Sequence, residues 1–303
     1  MQFLVIGSMN MDLVVETNKY PIGGETVRGK SFHQIPGGKG ANQACAIGRL
    51  GGDVSFIGAC GKDEYGNILI NNMKDAGVNV DNIERVDKST GIASITIEKN
   101  GENRIIIIPG ANAYLTPSVI KKNEMLIKKA SIIILQLEIP LETVFEAIKF
   151  ANKYNKEIIL DPAPACDLPN EIYKKIDYIL PNESELDILV PNKKHDSNKK
   201  VKTLLDLGVK NVILTQGEKG VTFYSENIKK HIKAKKIKVV DTTAAGDAFV
   251  GGLAKRLNSN NNLEKAIEYA NFVAGLSVTK IGAQSSLPTY CEVKKFIKFY
   301  NNN

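Results

Sequence analysis

Short apolar runs alternate with segments whose apolar residues recur every three or four positions, and this rhythm holds along most of the chain. Residues 3–6, 54–57, 132–137, 157–160, 178–180 and 212–214 are too short for helices and rich in Ile and Val, the pattern of strands buried on both faces. Between them, Val144, Ile148 and Ala151 form one helical stripe, and Leu204, Leu205 and Leu207 form another that stops at Gly208. Such alternation predicts an α/β fold: a largely parallel sheet, helices on both faces, right-handed crossovers, and a ligand site at the C-terminal ends of the strands.

Two regions depart from the rhythm. Residues 11–35 and 92–109 have no helical period, and the second reads as a hairpin turning at Asn100-Gly101 between two β-rich runs. They predict a small β lid, about residues 11–35 and 91–109. No Ser/Gly linker or composition shift separates it from the rest, so residues 1–303 read as a single domain. Repeats are absent, and the low-complexity tracts are the polar stretches 258–262 and 301–303.

Composition narrows the class. At 303 residues, 43% hydrophobic and 24% charged, the chain can bury a large core, which excludes a disordered protein and a disulfide-stapled one. The formal charge of +7 raises nucleic acid as a partner, but the lysine-rich stretches 193–200 and 229–238 carry no interleaved aromatic residues. Ile232 and Ile237 break the second, as on a solvated strand edge. No nucleic-acid partner is expected. Cys45, Cys60, Cys166 and Cys291, with His33, His195 and His231, have no zinc spacing and read as unpaired thiols and scattered imidazoles. The N-terminus lacks a basic leader, Asn10 and Asp12 interrupt its apolar stretch, and no run could span a bilayer. A cytoplasmic protein without a membrane partner is expected.

Three glycine-bearing motifs compete for the chemistry. Residues 24–31 match the phosphate-binding expression G-x-x-x-x-G-K-[ST], yet Pro21 and Gly23 precede them and a strand-like run ended by Pro36 follows, so the required strand–loop–helix context is missing. Residues 36–42, Pro-Gly-Gly-Lys-Gly-Ala-Asn, open a helix with Ala44, Ile47 and Leu50 as its stripe and Gly51-Gly52 as its stop. Its glycines admit close approach, its helix start is expected to offer unpaired N–H groups, and Lys39 and Asn42 add donors. Residues 239–249 run from a short strand through Asp-Thr-Thr-Ala-Ala-Gly-Asp into a helix starting near Ala245. Small residues at the positive end of a helix dipole make a pocket for phosphoryl charge, and the Asp247 carboxylate beside it can take a proton from a hydroxyl.

Taken together and in order, GSMNMDLV, PGGKGANQA, PGAN at 109–112, QLEIP around Glu138, PNESE, TQGEKG, DTTAAGD and SVTKIGAQSSLP resemble the ribokinase-like carbohydrate kinases over essentially the whole chain. The resemblance implies a three-layer α/β/α fold with a mostly parallel central sheet and a small β-sheet lid. It implies ATP-dependent phosphorylation of D-ribose at the 5-hydroxyl, with Asp247 as general base and Ala244, Ala245 and Gly246 as an anion hole. Asn10, Met11, Asp12, Gly38, Lys39, Gly40, Ala41, Asn42 and Glu138 are similar to the family's sugar contacts. Asn182, Glu185, Thr215, Gln216, Gly217, Glu218, Lys219, Gly220, Gly246 and Asn271 are similar to its nucleotide contacts. Glu185 would organise Mg²⁺ through water; read alone, the acids after Pro181 look like a helix cap. Asp241, Thr243, Ser277, Lys280, Gly282 and Ser286 match a K⁺ site, with backbone carbonyls serving at Ser277, Lys280 and Gly282. The family also implies a homodimer through the lid, placing the isoleucines at 105–108 at the interface, whereas the residues alone allow a buried strand. A kinase for another pentose, deoxyribose or a related nucleoside remains the alternative, since one or two contacts set sugar preference. A non-catalytic sensor would lack the base or the anion hole, and Asp247, Gly246 and Glu185 are all present.

Overall fold

Alternate residues of the apolar runs feed two separate cores, which is what makes each run apolar throughout. In a computed structural model describing residues 2–192, 194–260 and 262–301, the strands are β1 (Gln2–Ile6), β2 (Asn10–Thr17), β3 (Gly29–Gly37), β4 (Asp53–Gly61), β5 (Val78–Val86), β6 (Gly91–Ile97), β7 (Asn103–Ile108), β8 (Ile132–Leu135), β9 (Glu157–Leu160), β10 (Tyr178–Ile179), β11 (Asn211–Thr215), β12 (Val221–Ser225) and β13 (Ile228–Ile232). The helices are α1 (Lys39–Arg49), α2 (Glu64–Asp75), α3 (Pro117–Lys122), α4 (Glu124–Lys129), α5 (Leu141–Lys153), α6 (Asn170–Tyr173), α7 (Glu183–Leu189), α8 (Ser197–Asp206), α9 (Ala245–Asn260), α10 (Leu263–Ser277) and α11 (Tyr290–Asn301). Lys193 of the first lysine stretch, and Asn261, Asn302 and Asn303 of the polar tracts, lie outside the described residues.

The large sheet has the order β13-β12-β11-β10-β9-β8-β1-β4-β5, parallel from β11 to β5 and antiparallel at β12 and β13. Phe3, Val5, Ile132, Ile134, Ile159 and Ile213 point to one core with α1, α2, α9, α10 and α11. Leu4, Ile6, Ile133, Leu135, Ile158, Leu160 and Leu214 point to the other, with α3 to α8. This is the three-layer α/β/α arrangement. Each fully buried Ile or Leu contributes about 1.5–3 kcal/mol, so a polar residue on either face of these strands is strongly disfavoured. The strand at residues 54–57 extends to Gly61, and β10 is only two residues long. The lysine-rich β13 is the edge strand, with residues 228–231 exposed. Among the described residues, no helix is long and apolar enough to cross a membrane.

The residues without helical period form a second sheet of order β3-β2-β6-β7. β2 pairs antiparallel with β3 and parallel with β6, and β6 and β7 make the hairpin, with Gly101 at φ +86° in its turn. Residues paired across a sheet share a face, so Ile35, Asp12, Ala93 and Ile107 form one row and His33, Val14, Ile95 and Ile105 the next. Asp12, Ala93 and Val14 are buried in these rows, while Ile105 to Ile108 are all exposed in the monomer. A strand buried within the monomer is therefore not what residues 105–108 form. The phosphate-loop lookalike is also resolved: Gly29, Lys30 and Ser31 begin β3, and no helix follows them.

Candidate active site

Segments that the sequence keeps far apart meet at one carboxylate. Asp247, 5% exposed in the first turn of α9, accepts from Asn42 Nδ2 at 2.8 Å on Oδ2 and from Gln43 Nε2 at 3.0 Å on Oδ1. Both donors belong to α1. The two helices are so close that a Cβ on Gly251 would lie 2.4 Å from that of Ala46, which explains a glycine in mid-helix.

The start of α1 is built by close crossing. Gly38 has φ +86°, a Cβ there would sit 2.6 Å from the Asn10 nitrogen, and one on Gly40 would sit 2.7 Å from that of Ser8. The expectation of unpaired N–H groups at this helix start does not hold. Lys39 N donates to Glu138 Oε2 (3.2 Å), Gly40 N to Ser8 Oγ (3.4 Å), Ala41 N to Ser8 O (2.9 Å) and Asn42 N to Gly38 O (2.8 Å). The protein itself satisfies the amides because the β1–β2 connection runs across the helix end. What this region offers a ligand is side chains. Met11 and Ala41 are packed in the core and contribute none. Asn10, Asp12, Lys39, Asn42 and Glu138 remain, with Asn10 Oδ1 fixed by Asn112 Nδ2 at 2.8 Å and Asn112 fixed by the Met9 backbone. Asn42 Oδ1 is a buried acceptor with no protein partner among the described residues.

Next to Asp247 lies a cavity of about 250 Å³. Lys39 enters it from α1, Asp161, Asn182, Glu185 and Thr215 from the C-terminal side of the parallel strands, and Thr242 and Ala244 to Asp247 from the start of α9. Ala244 takes φ +58°, a left-handed conformation that costs a non-glycine residue about 1–2 kcal/mol and lets the helix begin at the next residue. Ala245 N–H is bonded to Thr242 O, and the first full helical bond runs from Ala248 N to Ala244 O. The Gly246 and Asp247 amides thus belong to the first turn, whose N–H groups point out along the axis with the positive end of the dipole. Gly246 is exposed, and a Cβ on it would meet nothing within 4 Å.

Charge is concentrated here. Burial raises Asp12 to about 7, helped by the Glu138 and Asp247 carboxylates. It likewise pushes Asp161 to about 7 although Lys39 opposes it, and raises Glu138 and Glu185. For Lys39 burial acts to lower the pKa, but Asp161, Asp247, Glu138 and Glu185 outweigh it and hold the ammonium above its usual range. A larger groove of about 1210 Å³ between α8 and the β12–β13 edge has no comparable set of buried charges; its Lys202 and Asp206 pair with each other at the surface.

On the other side of the cavity, Asn182 and Glu185 form a reciprocal cap on α7: Glu185 N donates to Asn182 Oδ1 and Asn182 N to Glu185 Oε2, both at 2.8 Å. The cap reading and the cavity reading hold for the same carboxylate. Thr215 lines the cavity and bridges to Asn182. Gln216, Gly217, Glu218, Lys219 and Gly220 do not line it; they form the turn between β11 and β12, where Gln216 Oε1 accepts from Thr222 Oγ1 at 2.7 Å. Asn271 sits on α10, also outside the lining, with its Nδ2 buried and unpaired among the described residues.

Asp241 ties the two halves of the expected cation site. Its Oδ1 accepts from Thr243 N (2.9 Å) and Oγ1 (2.6 Å), and its Oδ2 from Gly282 N (2.8 Å). The Ser277 and Ser286 hydroxyls donate to nearby backbone at Ala274 O and Ala283 O, and Lys280 Nζ pairs with Glu292, so backbone carbonyls are what that segment offers an ion, although Ser277 O also accepts from Lys280 N. One carboxylate with carbonyls suits a weakly hydrated monovalent ion. Among the described residues, no group of three or more His, Cys, Asp or Glu could hold a metal, so Mg²⁺ would need substrate phosphates and water beside Glu185.

Five contributors escaped the sequence reading. Asp161 follows β9 directly, the same strand-end position that singled out Glu138, and that signal was available. Gln43 and Gln136 are buried amides with no distinguishing sequence pattern, and Ser8 and Asn112 act through backbone crossings that only the fold creates.

The chain is similar to known proteins over nearly its whole length. Residues 2–290 match the pfkB family carbohydrate kinase. The ribokinase of Lactococcus lactis subsp. lactis is 42% identical over 97% of this chain and 96% of its own length, and the deoxyribokinase of Salmonella typhimurium is 38% identical over 98% and 99%. The structure of Arabidopsis thaliana ribokinase complexed with ribose and ATP superposes with a TM-score of 0.91 at 32% identity, covering 98% of each chain. Matched by the family model over residues 2–290 and by full-length relatives at about 40% identity, the chain belongs to the pfkB family of carbohydrate kinases.

Proposed function

We propose that this protein transfers the γ-phosphoryl group of ATP to the 5-hydroxyl of D-ribose. The observation that carries the proposal is the position of Asp247: its carboxylate is oriented by α1 on the sugar side, while its own helix start opens onto the cavity. Asp247 takes the proton of the attacking hydroxyl, a role worth about 10²–10⁴ in rate. The anion hole of Ala244, Ala245 and Gly246, a turn braced by the bond from Ala245 N to Thr242 O, presents its remaining amides to the charge that spreads over the transferring phosphoryl group, and Lys39 adds a fixed positive charge beside it. Asn10, Asp12, Asn42 and Glu138 hold the sugar hydroxyls, with Gly38 and Gly40 admitting the close backbone. The unpaired Asn42 Oδ1 awaits a hydroxyl donor.

Asn182 and Thr215 face the phosphates, and residues 216–220 with Asn271 hold the nucleoside. Glu185 would hold Mg²⁺ through water, and the ion would supply positive charge to the phosphate oxygens. Asp241, Thr243, Ser277, Lys280, Gly282 and Ser286 would hold K⁺, which would add positive charge beside the anion hole. The single domain carries residues 11–35 and 91–109 as its lid, two lids join in a homodimer through the exposed isoleucines, and the enzyme works in the cytoplasm on small molecules. The relative that phosphorylates ribose and the one named for deoxyribose are almost equally similar, so deoxyribose is the second reading.

The test is ATP consumption with D-ribose, 2-deoxyribose, fructose, adenosine and buffer, with Mg²⁺ and with or without K⁺. Fastest turnover on ribose, raised by K⁺, is expected. Preference for another sugar reassigns Asn10, Asp12, Asn42 and Glu138, and silence on all of them overturns the kinase reading.

A further inference from the structure

We infer that Gln43 is a positioning residue for Asp247, acting as the centre of a buried amide relay. Gln43 is fully buried, and its Nε2 donates to two carboxylates at once, Asp161 Oδ2 at 2.7 Å and Asp247 Oδ1 at 3.0 Å. Its Oε1 accepts from Gln136 Nε2 at 2.6 Å, so both ends of the amide are spoken for. The orientation is dictated by chemistry: flipped, the carbonyl would face two carboxylate oxygens and leave the Gln136 donor against an N–H₂ group. Gln136 reaches this position because Gly7 has no side chain: its Oε1 lies 1.9 Å from where a Cβ on Gly7 would be, and that oxygen has no hydrogen-bond partner among the described residues.

The consequence is directional. With Asn42 on Oδ2 and Gln43 on Oδ1, each oxygen of Asp247 has one amide donor, so the plane of the carboxylate is fixed before any substrate arrives. Of the two, Gln43 is the one that does not also face the sugar side. It therefore sets the rotation of Asp247 without contacting ligand. The charged groups around Asp247 are Lys39 on α1, Asp12 on β2, and Glu138, Asp161 and Glu185 beyond the strand ends. None of these donates to Oδ1, so none replaces Gln43.

This inference rests on Asp247 being the base, and the experiment separates the two. Gln43→Met keeps the volume and removes the donors; Gln136→Met releases Gln43 one step further away. For Gln43→Met, kcat is expected to fall on the order of 10- to 100-fold with KM for ribose and for ATP nearly unchanged. Gln136→Met should lower kcat in the same way by less, again with both KM values held, and it carries the test if Gln43→Met does not fold. Wild-type kcat in the folded variants, or KM values that rise in step with the fall in kcat, with Asp247→Asn inactive, overturns the role of Gln43 and leaves the base in place. An active Asp247→Asn overturns the base itself.

Discussion

Asn42 and Asp247, 205 residues apart in the chain, are joined by a buried 2.8 Å hydrogen bond that links the sugar-side helix to the start of α9. Substituting Asp247 by Asn preserves size but replaces one acceptor oxygen with a donor facing Asn42 or Gln43. The expected result is a loss in kcat of several hundredfold or more, with ATP affinity by calorimetry nearly unchanged and a small drop in Tm from the amide conflict. Wild-type turnover would remove Asp247 from the proton transfer.

Asp12 does not line the cavity; it lies on a buried row of the lid sheet, within electrostatic reach of Glu138 and Asp247. Asp12→Ala should raise KM for ribose at least tenfold and leave KM for ATP within about twofold, because loss of a hydrogen-bonding site to a substrate hydroxyl costs binding on that side only. Equal effects on both substrates would argue against a sugar contact.

Asp161 gives a stability signature. Burial lifts its carboxyl from the ordinary 3.8 to about 7, so between those values the folded chain holds a proton that the unfolded chain has released. Stability contributed by that proton is complete below about pH 4 and is lost as pH rises towards 7. Asp161→Asn removes the charged form, so its Tm should exceed that of the wild type at pH 8 and match it at pH 4, with ~2–4 °C for each kcal/mol recovered. Parallel Tm–pH curves for the two proteins would show that Asp161 stays ionised throughout.

How much of this was legible depended on whether a residue acts locally. β9 was read to the residue, and the double-sided burial of β1, β8 and β11 follows from their unbroken apolar runs. The helix start at Ala245 was readable because small residues before an acid are themselves the signal. The amides at the start of α1 were misread because their partners, Ser8 and Glu138, come from the β1–β2 connection and the segment after β8, and no local pattern announces a carboxyl 99 residues away. Gln43 and Gln136 escaped for the same reason. The side chains are ordinary, and only the convergence of α1, β8, β9 and α9 makes a relay of them.

The lid predicts an assembly. Ile105 and Ile107 are 51% and 45% exposed, yet they stand in the same rows as Val14 and Asp12, on the edge strand β7, whose outer side pairs with no strand among the described residues. A contiguous apolar edge of this kind is normally covered. The double variant Ile105→Glu, Ile107→Glu should sediment as a monomer where the wild type sediments as a dimer, and its KM for ribose should rise because the face that carries Asp12 loses its cover. A wild type that is monomeric at micromolar concentration would dismiss the dimer.

Gly246 separates stability from catalysis. A Cβ on Gly38 would strike the Asn10 nitrogen in a left-handed backbone, so Gly38→Ala should lose both stability and activity. A Cβ on Gly246 would strike nothing, and alanine is favoured over glycine in a helix by about 0.5–1 kcal/mol. Gly246→Ala should therefore fold normally, with a Tm equal to or slightly above that of the wild type. Its methyl would nonetheless stand in the open space over the first-turn amides, where the phosphoryl group must come, and removing access to one such donor costs about 10²–10³ in kcat. A stable but slow Gly246→Ala is the expected outcome. A stable variant with wild-type kcat would mean that the phosphoryl group is held elsewhere along the cavity, with Lys39 and Thr242 the next groups to test.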